Sequence, residues 1–116
     1  MTVRRVVPDA HTHALAENRD FYGLLGLEEV MNLGWVMALA SPSNPTAQLL
    51  FIREETAPVV PDLSIEVDDV DAVHAAVLAS GAEIVHPLTD EPWGVRRFFT
   101  RDPEGRVVNV VSHREG

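Results

Sequence analysis

The sequence predicts an α+β domain built from one unit used twice: a strand, a helix, then three further strands. Three observations carry this expectation. First, TVRRVV leads into ALAENRDFYGLLG, and DLSIEVDD leads into DVDAVHAAVLASG, each a strand followed by a helix that ends on glycine, Gly26 and Gly81. Second, superposing those two glycines sets an offset of 55 residues that also carries Val7 onto Asp62 and Ala14 onto Asp69. Third, the strand-like segments after each helix are joined by stretches too short for crossovers, so most of the sheet should be antiparallel.

The elements follow in order. The helix over 14–26 carries apolar residues at helical spacing. LEEVMNL, GWVMALAS and AQLLFIRE come next, parted by Asn32–Gly34 and by the loop SPSNPT. Module one thus spans about 1–55, and ETAPVVP, about 55–61, is the linker. Module two, about 62–114, opens on DLSIEVD, where Leu63, Ile65 and Val67 alternate with Asp62, Ser64 and Glu66. The apolar set should face the helix and the polar set the opposite side. In the helix that follows, Val70, Val73, Val77 and Leu78 make a narrow apolar stripe with His74 beside it, and Asp68 or Asp69 serves as the N-cap. AEIVHPL, GVRRFFTRD and RVVNVVSH complete the module, separated by TDEPW and the DPEG turn. Two such sheets with polar faces would make an eight-stranded curved-sheet cleft within one domain, 1–116.

Composition narrows the function. A chain of 116 residues that is 46% apolar can bury one core, and with no cysteine it offers no disulfide, thiolate metal site or thiol nucleophile. A formal charge of −9 argues against nucleic acid as a partner. The start, MTVRRVVPDA, lacks the apolar run of a signal peptide or membrane span, so a cytoplasmic protein with no membrane partner is expected. No Gly-x-Ser-x-Gly elbow surrounds any serine, and GLLGLEE lacks the spacing and the lysine of a phosphate loop. Among the histidines, His11 and His13 could converge on an ion only from a strand, and Pro8 reads as opening a loop there. His74, His86 and His113 read as packing, strand-end and tail residues. Asp62 and Glu66 share a strand face and are the candidates for acid–base work.

One residue stands out. Val107 to Val111 read as a buried strand interrupted only by Asn109, an amide that costs free energy when buried without partners. An inward polar group on such a strand points to a ligand groove. Parity puts Val95, Arg97 and Phe99 on one face of the preceding strand and Arg96, Phe98 and Thr100 on the other. Trp93 enters that strand and Trp35 starts another; each ring either lines the groove or packs in the core or at a dimer interface.

These pieces in order, RDFYGLLGLEEV, IEVDDVDAVHAAVLASGAEIV and EPWGVRRFFTRDPEGRVVNVV, resemble the vicinal oxygen chelate superfamily of glyoxalases, extradiol dioxygenases, fosfomycin-resistance enzymes and bleomycin-resistance proteins. The resemblance implies paired βαβββ modules around a glyoxalase-like cleft, in a homodimer. It also implies that Phe99, and with it Arg97, faces inward. Metal-dependent members hold a divalent ion at four strand positions that fall here near Val7, Gln48, Asp62 and Asn109. The first and third are usually His and the last Glu. Only Asp62 is a strong ligand type, and a lone carboxylate does not hold a metal tightly. The expectation is therefore a metal-independent binder without cofactor, sequestering a small organic drug or metabolite in a dimeric cleft. Its ligand contacts would be Trp35, Gln48, Asp62, Ser64, Trp93, Arg97, Phe99 and Asn109. The alternative is a lyase, isomerase or dioxygenase of the same superfamily using an atypical metal set that includes Asp62.

Overall fold

A computed structural model describes residues 2–53 and 59–113. The predicted ends of the modules, at 55 and 114, and most of the linker lie outside those residues. Eight strands and two helices follow the predicted order twice, and the class is α+β. The first module contributes β1 (Val3–Thr12), α1 (Leu15–Gly23), β2 (Glu28–Asn32), β3 (Val36–Ser41) and β4 (Asn44–Arg53). The second contributes β5 (Leu63–Val67), α2 (Val70–Ser80), β6 (Ile84–Glu91), β7 (Val95–Arg101) and β8 (Val107–His113).

The chain forms two compact units, one of residues 7–60 and one of residues 1–6 with 61–116. One division falls at 60/61, at the end of the predicted linker, and a second falls inside β1. The reason is local: Thr2 donates its backbone N–H to Asp68, and the Arg5 guanidinium pairs with Glu66 on β5, which ties the first residues to the second module.

In the 7–60 unit the strand order is β2-β3-β4-β1, with β4 antiparallel to β3 and parallel to β1. Met37, Leu39 and Phe51 form its buried cluster, against which Leu15 and Tyr22 of α1 pack. Helix α1 is shorter than predicted. It has no side-chain cap on Ala14; instead Thr12 Oγ1 accepts from Ala14 N and Asn18 Nδ2. Two strands reach further than predicted. β1 runs through Pro8 to Thr12, placing His11 on a strand rather than in a loop. β4 begins inside SPSNPT, leaving only a tight turn.

In the other unit the order is β5-β8-β7-β6, with β5 and β8 parallel and the remaining pairs antiparallel. The parallel pairs join strands separated by a helix and two further strands, connections long enough to reverse direction. Leu63, Ile65 and Val67 face α2 as their alternation predicts, packing with Phe98, Val108, Val110, Val73 and Val77. Asp69 is the N-cap, accepting from Ala72 N at 3.1 Å, whereas Asp68 holds Thr2. Gly81 closes the helix at φ 83°, in the left-handed region that spares glycine the Cβ penalty. Leu78, predicted on the apolar stripe, is exposed, so the buried face is narrower than the pattern indicates.

Candidate functional site

Because Leu63, Ile65, Phe98, Val108 and Val110 turn toward α2, their strand neighbours occupy the opposite face of the same sheet. Backbone register lines four of these up across it. Ser64 on β5 pairs with Asn109 on β8, Asn109 with Phe99 on β7, and Phe99 with His86 on β6. Asn109 is 8% exposed and donates through Nδ2 to Ser64 Oγ at 3.0 Å. Its Oδ1 is buried and has no hydrogen-bond partner. The His86 ring lies 4.8 Å from that of Phe99, and His86 Nε2 is likewise buried without a hydrogen bond.

The adjoining positions carry charge in balanced pairs. Arg97 Nε and Nη2 both reach Glu91 Oε2 at 2.7 Å, and both side chains are mostly buried. The Arg97 guanidinium is also stacked, 4.7 Å from the Phe99 ring centroid and 4.9 Å from that of Trp93. On the β5 side Glu66 pairs with Arg5, and its Oε2 accepts a hydrogen bond from His113 Nδ1 at 3.1 Å. Burial pushes the Glu66 carboxyl upward, but hydrogen bonds and charge from Arg5 and His113 outweigh it and hold the group below its ordinary value. His86 is held below the usual imidazole range, first by burial and then by the Arg97 charge, with Glu91 pulling the other way.

The structure thus brings together Ser64 with Asn109, and Trp93 with Arg97 and Phe99. Trp35 and Gln48 belong to the 7–60 unit, Gln48 opposite Ala40 on β3. Asp62 precedes β5, and its carboxylate accepts from Val107 N at 2.9 Å, so it secures the start of the β5–β8 pairing instead of lining the face. Arg97 is not an open cationic fork either, since Glu91 occupies it. Arg96 turns to the α2 side and bonds Asp71 and Asp90.

His86, Glu91 and Arg5 were absent from the sequence-based set. His86 and Glu91 are an odd number of residues apart, so strict alternation sends them to opposite faces. A register shift between His86 and Thr89 restores them to one. Pro87 within the strand is the signal that could have revealed it. His113, expected in a frayed tail, is paired on β8 with Val95. His74 packs edge-on against Phe98.

The family model described as Glyoxalase/Bleomycin resistance protein/Dioxygenase superfamily matches residues 10–110. The chain belongs to this superfamily. Solved structures share the fold at low identity. The NAD-dependent benzaldehyde dehydrogenase from Legionella pneumophila aligns with a TM-score of 0.74 and 18% identity, over 94% of this chain and 99% of that one. A glyoxalase/bleomycin resistance protein/dioxygenase superfamily member from Vibrio splendidus gives 0.64 and 15%, over 96% and 99%. The methylmalonyl-CoA epimerase from Mycobacterium tuberculosis gives 0.68 and 18%, over 97% and 88%. Their names differ, so the likeness speaks for the fold and not for one activity. No curated protein sequence matches the chain.

Some superfamily members carry a metal, and the donors here do not fit one. Val7 has no donor, the Asp62 carboxylate is engaged by a backbone N–H, and the Asn109 amide is neutral and bonded to Ser64. Among the described residues no group of three or more His, Asp or Glu side chains is placed to hold an ion.

Proposed function

We propose that this superfamily member is a metal-independent binder that holds a small organic ligand on the sheet face of its second module opposite α2. The observation that carries the reading is Asn109, a buried amide on an inner strand whose oxygen has no hydrogen-bond partner among the described residues. Leaving a buried acceptor unpaired costs about 1–3 kcal/mol. The amide nitrogen is used within the fold, on Ser64, and a bound ligand would recover the cost of the oxygen. The surroundings suit binding: an aromatic ring, a stacked guanidinium and charges already neutralised in pairs. Retention of a ligand is the activity that these described side chains support.

The homodimer belongs to the same proposal. Phe21, Leu24 and Leu25, at the end of α1 and just beyond it, are exposed, as are Val30 and Met31 on edge strand β2. A second copy of the chain is the occupant that would cover them. No helix among the described residues is long and apolar enough to cross a membrane.

The direct test is calorimetric titration of the dimer with naphthol, before and after dialysis against a chelator, together with elemental analysis. Equal affinity in both samples and substoichiometric metal are expected. About one zinc, nickel, manganese or iron per chain, with binding lost on chelation, would replace this reading with the metal-dependent enzyme.

A further inference from the structure

The row across the second module's sheet holds two buried polar atoms with no hydrogen-bond partner among the described residues, one on each side of Phe99. Asn109 Oδ1 stands on β8 and His86 Nε2 on β6, with β7 between them. Glu91 Oε2 is 3.6 Å from His86 Nε2, too far for a hydrogen bond. Neighbouring strands run about 4.8 Å apart, so positions two strands away are separated by roughly 10 Å. Both residues are fixed by the ladder, since Asn109 and His86 are each the register partner of Phe99.

We propose that this row is a two-point recognition site for a flat, uncharged aromatic ligand carrying a hydrogen-bonding group at each end, one meeting Asn109 Oδ1 and the other His86 Nε2. The inference rests on the binding face proposed above and states what that face selects. Three features define the class. Asn109 Oδ1 is a bare acceptor, because the amide nitrogen is spent on Ser64, so the ligand's end there must be a donor such as a phenolic hydroxyl or an amide N–H. A carboxylate at that end would meet oxygen against oxygen. The imidazole can accept or donate through Nε2 according to its tautomer, and a hydroxyl serves either form. Between these ends, Arg97 is neutralised by Glu91 and stacked on Phe99 and Trp93, so the middle of the site is aromatic and carries no net charge. A ligand with one polar end would leave one of the two buried atoms unsatisfied. Sites built around such atoms discriminate strongly against ligands that lack the matching group.

The test compares naphthol with a dihydroxynaphthalene bearing its hydroxyls on opposite rings, by calorimetry on the intact protein. The diol should bind at least about fivefold more tightly, the increment expected of one added hydrogen bond. His86→Phe keeps a ring against Phe99 but removes the nitrogen, and should bring the diol down to the affinity that naphthol has for the same variant. Asn109→Val should weaken the diol by a similar factor. Melting temperature reports whether each variant is folded, and if Asn109→Val is not, the ratio of the two affinities in wild type and His86→Phe decides alone. Equal binding of diol and naphthol to the wild type, or equal losses in His86→Phe, overturns two-point recognition while leaving the binding face intact. Failure of both compounds to bind overturns both.

Discussion

At the scale of single residues, the second module's sheet face opposite α2 sets opposing demands on His86 and its neighbours. The folded state resists protonation of His86, through burial and through Arg97. A group whose folded pKa is depressed contributes stability that is complete above its unfolded value and is lost as pH falls toward the folded one. Stability should therefore decline as pH drops below about 6.5, and His86→Phe should flatten that decline. Urea midpoints measured at about pH 7.5 and pH 5.5 check this, and equal slopes for both proteins would contradict it. Glu66 behaves separately: its carboxyl is held low by Arg5 and His113, so its contribution disappears only in more acidic solution, below about pH 4.5. The Arg97–Glu91 pair gives a second prediction. Both side chains are mostly buried, and removing one charge strands the other. Glu91→Gln should cost stability on the order of 3 kcal/mol, and adding Arg97→Met should recover part of it. Chemical denaturation of the single and double variants measures both.

At the scale of elements, two features hold the row in place. The parallel β5–β8 ladder sets Ser64 opposite Asn109, and Asp62 pins its start through Val107 N. Helix α2 covers the other side and depends on Asp69 for its first turn. Asp69→Ala should destabilise by about 1 kcal/mol, the usual loss of an N-cap, with little effect on ligand affinity because α2 lies on the face opposite Asn109. Phe98, fully buried beneath α2, should be far less tolerant: Phe98→Ala is expected to cost about 3–5 kcal/mol. Melting curves of the two variants, with naphthol titrations on whichever is folded, separate support of the fold from contact with ligand. Helix α1 is built differently. It has no buried residue and no side-chain cap, and it leaves Leu24 and Leu25 in solvent.

At the scale of the molecule, that exposed apolar surface motivates the proposed dimer. Five residues of β2 lie exposed at the edge of their unit's strand order, an arrangement that invites pairing or aggregation unless it is covered. Light scattering should give twice the chain mass at low micromolar concentration, and Val30→Arg or Leu24→Glu should shift the protein toward monomer. A stable wild-type monomer under those conditions removes the proposal.

The repeat, the α+β class and the side of β5 that packs on α2 were all legible in the sequence, because each rests on local periodicity: alternation in DLSIEVD, helical spacing in VDAVHAAVLASG, and glycine at Gly81 where the chain must turn left-handed. Asn109 was legible for the same reason, as a polar residue breaking an apolar alternation. What it touches was not. The bond to Ser64, the neutralisation of Arg97 by Glu91 and the burial of Asn109 Oδ1 depend on register between strands distant in sequence, which alternation within one strand does not encode. His86 was decided by the tertiary structure alone: a register shift beside Pro87 reverses its face, and one displaced residue in a ladder moves a side chain from one side of a sheet to the other.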